Sequence, residues 1–128
     1  MQYFNLLVTT LFLIVDRVFT QVSTGPGTFQ VISANNKSID VATFVPNGVT
    51  TSSQFVLAMH GLGDNGNGMR DSWISLANKY KYVILAPNFN DNWSGNYQLA
   101  GLDGPRSDWE IDVLDRVFDE AKKRYNST

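Results

Sequence analysis

The sequence predicts an α/β fold: an N-terminal antiparallel hairpin, then two parallel strands with crossover helices, making part of a larger sheet. Three observations carry that prediction. Residues 55–59 (Phe-Val-Leu-Ala-Met) and 83–86 (Val-Ile-Leu-Ala) are continuous apolar runs without alternation, as in strands covered on both faces. A helical pattern lies between them, and strand–helix–strand is the unit that joins parallel neighbours. A second helical pattern then fills the last part of the 128 residues.

The elements follow in chain order. Residues 6–15 (Leu-Leu-Val-Thr-Thr-Leu-Phe-Leu-Ile-Val) form an apolar block bounded by Asp16 and Arg17, too short to span a bilayer. It fits the core of a secretory signal, so residues 1–20 are expected to be a leader and the product to be secreted. Three Asn-x-Ser/Thr triplets, at Asn36, Asn92 and Asn126, agree with that route. The breaker cluster Thr24-Gly25-Pro26-Gly27 places the start of the folded domain near Thr28, so the domain is expected over 28–128. Residues 28–33 and 39–45 are short β-branched runs around a five-residue polar loop, which reads as the hairpin.

The first helix is expected over 69–80, with Trp73, Leu76, Ala77 and Tyr80 on its buried face. The second opens on the capping box Ser107-Asp108-Trp109-Glu110 and carries Ile111, Leu114, Phe118, Ala121 and Tyr125 at helical steps. A helix packed on a parallel sheet ordinarily returns the chain to another strand. None follows within these residues, so the sequence predicts one parallel strand with a bare edge and a final helix whose apolar stripe partly lacks a floor. It reads as the N-terminal fragment of a larger domain. Self-association through the open edge is the expected hazard.

Composition narrows the function classes. There is room for one domain only, and a net charge of -2 gives no electrostatic reason to expect nucleic acid or an anionic membrane as partner. Cysteine is absent, which removes disulfides, thiolate nucleophiles and cysteine-based metal sites. No metal or cofactor is expected.

The most informative phrase is Gln54 through Gly66, where an apolar run stops at His60-Gly61 and opens into Leu62-Gly63-Asp64-Asn65-Gly66. A glycine-rich loop after a buried strand can present backbone N–H groups to a developing negative charge. Opposite this stands an absence: no Gly-x-Ser-x-Gly occurs, and His60 is the only histidine. The matching phrases are Val56-Leu57-Ala58-Met59-His60-Gly61, Arg70-Asp71-Ser72-Trp73, Leu76-Ala77-Asn78-Lys79-Tyr80, Val83-Ile84-Leu85-Ala86-Pro87-Asn88-Phe89, Trp109 and Phe118-Asp119-Glu120-Ala121. In these the chain resembles the α/β-hydrolase superfamily, and within it the secreted esterases related to polyhydroxybutyrate depolymerases and feruloyl esterases. The resemblance implies a serine hydrolase of carboxylic esters, truncated before the nucleophile elbow. It implies the backbone N–H of Leu62 as an oxyanion donor, with Gly61 beside it and His60 shaping the loop. Nucleophile, acid and base are absent from this chain, which is expected to be inactive alone. Small or polymeric esters are the expected substrates of the full-length parent.

Other readings compete. Trp93 and Tyr97, in the polar stretch after the fourth strand, are candidates for lining a substrate cleft. The chain is alternatively a non-catalytic secreted binding or interaction module whose sheet edge is completed by a partner. Gly61-Leu62-Gly63-Asp64-Asn65-Gly66 is also a literal G-x-G-x-x-G, the dinucleotide-binding pattern. Against it stand the preceding hairpin, a run at Asp64-Asn65-Gly66-Asn67-Gly68 that favours turn over helix, and a next strand that ends Ala86-Pro87-Asn88-Phe89 with no acidic residue in place to hold a ribose. Calcium fails on spacing, with Ser75 where the EF-hand template needs glutamate. The carboxylates Asp64, Asp71, Asp91, Asp103 and Asp108 read as caps or solvated charge rather than a glycosidase pair.

Overall fold

The computed structural model describes residues 22–34, 36–61, 63–89 and 110–125, and no side-chain placement for Glu110 or Ile111. The leader block, the capping box before Glu110, Leu62, Trp93, Tyr97, Trp109, Asn92 and Asn126 lie outside the described residues. Strands β1 (Gly25–Ile32), β2 (Ser38–Val45), β3 (Phe55–Leu57) and β4 (Val83–Pro87) form one sheet in the order β1-β2-β4-β3. Helix α1 (Gly66–Tyr80) joins β3 to β4, and α2 (Glu110–Tyr125) follows.

The hairpin forms as the sequence predicts. β1 and β2 pair antiparallel from Gly25↔Val45 to Ile32↔Ser38. Their loop is closed by Ser33 N–H to Lys37 O at 2.8 Å and Asn36 N–H to Ser33 O at 3.0 Å. The first strand begins earlier than expected, because Gly25, Pro26 and Gly27 lie inside β1 rather than before it. β1 is bonded only to β2 among the described residues, and an edge strand tolerates a proline that would break a central ladder.

The two unalternating runs pair in parallel, Phe55↔Val83 through Leu57↔Leu85. β4 also pairs antiparallel with β2, so it is central and all five of its residues are buried. That explains its continuous apolar character. β3 is half-buried, ends at Leu57 rather than Met59, and has no strand on its other side among the described residues. Ala58 N–H still donates to Leu85 O at 2.9 Å, carrying the ladder one residue further toward His60.

Alternation along the strands divides the core into two layers. On one face Val31, Ile39, Val41, Val83 and Leu85 pack with Val113, Val117 and Ala121 of α2. On the other Ala42, Phe44, Ile84 and Ala86 pack with Ala77 of α1, flanked by Trp73 and Ile74. Each helix therefore covers its own side of the sheet. No helix of the described residues is long and apolar enough to cross a membrane.

Three expectations about the helices need correction. First, α1 starts at Gly66, three residues before the expected Met69, so Gly66-Asn67-Gly68 is helix and not turn. Its N-cap is Asn65, whose side chain accepts from Gly68 N–H at 3.0 Å. A cap of this kind outweighs the poor helix propensity of two glycines. Asn65→Ala is expected to cost about 1 kcal/mol in a urea unfolding titration. Second, only Ala77 of the four expected face residues is fully buried; Leu76 is 43% and Tyr80 50% exposed. The exposed Tyr80 ring instead stacks on Tyr82, with centroids 5.6 Å apart. Third, α2 buries a different line from the expected stripe, whose Leu114, Phe118 and Tyr125 are only partly buried. Its deepest line is Val113, Val117 and Ala121, with Leu114, Phe118 and Tyr125 packed beside it. Phe55 of the edge strand reaches both Phe118 and Tyr125, at 6.3 and 6.1 Å between ring centroids.

Candidate functional site

The loops that leave the C-terminal ends of β3 and β4 meet, and one side chain joins them. His60, the first polar residue after the β3 run, is 5% exposed. Phe89 N–H, just past β4, donates to His60 Nε2 at 3.1 Å, and His60 Nδ1 lies 3.0 Å from Gly61 O. A ring nitrogen that accepts from a backbone N–H carries no proton, so Nδ1 holds the proton and donates to the carbonyl. The two bonds fix both the ring orientation and the tautomer.

After His60 the chain makes a turn closed by Asp64 N–H to Gly61 O at 3.2 Å. Gly63 takes φ +79 there, a left-handed conformation that glycine adopts without strain. Gly61 O thus accepts from the imidazole and from the turn together. Leu62, the expected oxyanion donor, lies outside the described residues, but both residues flanking it are placed.

The far end of the loop is held just as firmly. Asp64 Oδ1 accepts from Asn65 N–H at 2.7 Å, and Asn65 O accepts from Met69 N–H at 3.1 Å. Gly66 N–H donates to Asn88 Oδ1 at 3.0 Å, while Asn88 N–H donates to Asp40 O at 2.8 Å. Gly66 sits against the exit of β4 so closely that an added Cβ would stand 2.6 Å from Ala86 O. Only glycine fits. Further along α1, Arg70 pairs with Asp71 at 2.8 Å and with Asn67 Oδ1 at 2.9 Å.

Of the sequence-predicted site residues, His60 and Gly61 are brought to one point, and Trp93 and Tyr97 lie with Leu62 outside the described residues. Sequence reasoning missed the roles of Asn65, Asn88 and the amide of Phe89. The available signal was a single short carboxamide placed directly after a buried strand and before a large apolar residue, Pro87-Asn88-Phe89. The G-x-G-x-x-G reading meets a physical obstacle. The amides of Gly66 and Gly68 are already taken by Asn88 and Asn65, and the carboxylate of Asp64 stands at the helix start, where a pyrophosphate would need free donors. The carboxylates of Asp64 and Asp71 are likewise engaged, by Asn65 N–H and by Arg70; Asp91, Asp103 and Asp108 lie outside the described residues.

Comparison with solved structures bears on this arrangement. A poly(3-hydroxybutyrate) depolymerase, LpqC, from Bordetella parapertussis superposes with a TM-score of 0.71 at 24% identity, covering 82% of this chain and 40% of its own. Poly(aspartic acid) hydrolase-1 from Sphingomonas sp. KT-1 gives 0.68 at 26% identity, covering 81% of this chain and 43% of its own. This chain has a partial α/β-hydrolase fold. A thermostable esterase is a more distant α/β-hydrolase neighbour, with a TM-score of 0.52 at 20% identity over 80% of this chain and 32% of its own. The chain thus spans less than half the length of each of these three structures. No protein-family model and no curated protein sequence matches it.

Proposed function

We propose that this chain supplies the oxyanion side of a carboxylic-ester hydrolase, and that the nucleophile lies outside its 128 residues. In this reading a base, like the serine outside these residues, takes the serine hydroxyl proton as the oxygen attacks the ester carbonyl. The carbonyl oxygen becomes an alkoxide to which the backbone N–H of Leu62 donates, and the base returns the proton to the leaving alcohol oxygen. Collapse expels the alcohol and leaves an acyl-enzyme, which water then hydrolyses. Gly61 keeps the backbone narrow beside the donor. His60 shapes the loop and moves no proton to substrate, since its Nε2 is occupied by Phe89 N–H and its Nδ1 faces Gly61 O. Secretion belongs to the same proposal and rests on the apolar block at 6–15.

The observation that carries the reading is the anchoring of loop 61–65 at both ends on the exit of one buried strand, at Phe89 through His60 and at Asn88 through Gly66. Oxyanion stabilisation depends on donors already oriented before charge develops, because a donor that must reorganise loses most of its advantage. The α/β-hydrolase fold supports it, and the esterase and depolymerase names of the neighbours point to the ester class.

The chain alone is expected to show no turnover of a p-nitrophenyl acyl ester above the buffer rate. Oriented donors without a nucleophile stabilise a charge that never forms. Hydrolysis by the purified chain that a serine-directed fluorophosphonate blocks would contradict the assignment.

A second reading is favoured by the sheet edge. β3 is bonded on one side only among the described residues, and Leu76 and Tyr80 of α1 are exposed. As a non-catalytic interaction module, the chain would form a soluble stoichiometric complex or dimer through that edge. Size-exclusion chromatography with light scattering separates the two, because a monodisperse assembly supports the module and ill-defined association supports the hydrolase part.

A further inference from the structure

Asn88 makes two bonds that pull in different directions along the fold. Its backbone N–H extends the β4–β2 ladder to Asp40 O at 2.8 Å, and its side-chain oxygen crosses to Gly66 N–H at 3.0 Å. The next residue, Phe89, donates its own N–H to His60 Nε2 at 3.1 Å. Loop 61–65 therefore hangs between two attachment points that are adjacent in sequence just past the end of β4. Adjacent peptide units cannot move independently by more than the torsion between them, so the span of the loop is set by one rigid strand exit. Contact between Gly66 and Ala86 O removes the remaining freedom of α1 to slide along it.

We propose, resting on the oxyanion-loop reading above, that Asn88 is the positioning residue of that loop, acting through Gly66. The requirement at position 88 is a hydrogen-bond acceptor at the reach of one methylene. Leucine matches the size and lacks the acceptor. Aspartate keeps the acceptor, and its negative charge at the start of α1 is favourable to the helix dipole. Serine is polar but falls short of Gly66.

The test is backbone ¹⁵N relaxation and amide exchange on the labelled 128-residue chain as wild type, N88L and N88D. In N88L the Gly66 amide is expected to exchange about tenfold faster, the loss of one hydrogen bond, and the loop amides 61–65 to gain fast motion. Ladder amides of β2 and β4 are expected to change far less. N88D is expected to restore the wild-type loop. If N88L does not fold, N88S gives the same comparison. A loop that stays rigid in a folded N88L or N88S, or one that N88D fails to restore, overturns the proposal. A loosening spread evenly over the sheet does so as well, since it marks an ordinary stability effect. Failure of the hydrolase reading has a separate signature: the Leu62 amide would be protected in the wild type, whatever residue 88 is.

Discussion

Replacing His60 with leucine is expected to lower the unfolding free energy by about 2–4 kcal/mol, although leucine fills a similar space. The substitution takes away the acceptor for Phe89 N–H and the donor to Gly61 O, at a residue that is 5% exposed. Groups buried with a missing partner carry their full desolvation penalty, which exceeds the small gain from a more apolar side chain. The measurement is a urea titration followed by circular dichroism, comparing H60L with wild type. A change below about 0.5 kcal/mol would mean that neither bond is present in solution. In the wild type, ¹⁵N chemical shifts are expected to report Nδ1 protonated and Nε2 unprotonated, as the bond from Phe89 N–H requires.

Gly66→Ala is expected to destabilise by about 2 kcal/mol, against the helix propensity scale, which favours alanine by about 1 kcal/mol. The new methyl group would stand 2.6 Å from Ala86 O and 3.3 Å from Asn88 Cβ, at the exit of a strand that is buried throughout. Backbone of that kind does not yield without moving the sheet. Gly68→Ala is the matched control. Its new methyl group meets only the carboxylate of Asp64, which can turn away only by giving up its exposed bond from Asn65 N–H, so the helix-propensity gain of about 1 kcal/mol is largely offset and little net change is expected there. Two glycines two residues apart in one helix should thus respond very differently, Gly66 strongly and Gly68 weakly. Equal responses in parallel urea titrations would show that α1 does not rest on the β4 exit as described.

Much of the sheet was legible in the sequence because position in the sheet decides residue type. β4 lies between two partners and reads as an unbroken apolar run, and the β1–β2 hairpin reads as β-branched runs around a polar loop. The parallel pairing of β3 with β4 followed from the helix between them. Errors came where a local preference was overruled by a longer-range partner. Gly66 and Gly68 look like turn residues, yet Asn65 caps a helix over them and Asn88 satisfies the first amide. Pro26 looks like a boundary, yet an edge strand accepts it. On α2 the expected stripe named Leu114, Phe118 and Ala121 but passed over Val113 and Val117, since valine is a weak helix signal and only burial against β1, β2 and β4 marks it as core. On α1 the expected stripe was too wide, because Leu76 and Tyr80 fall beyond the strip that faces Ala42 and Ile84.

At the site, sequence legibility stopped at the backbone. The stop of an apolar run at His60-Gly61 marked where the loop begins, and the glycines marked its turn. What holds the loop in place is tertiary. Neither the Phe89–His60 bond, across 29 residues, nor the Asn88–Gly66 bond, across 22, has a periodic signature that a local pattern could reveal.

In the proposed hydrolase role, loop 61–65 serves as the oxyanion donor through the backbone N–H of Leu62. Amide hydrogen exchange on the wild-type chain tests it most directly. Leu62 is expected to exchange within about tenfold of the unstructured rate, while Asp64, Gly66 and Phe89 around it are slowed at least about a hundredfold. A Leu62 amide as slow as its neighbours would place that N–H in a bond to the protein's own backbone and contradict the account.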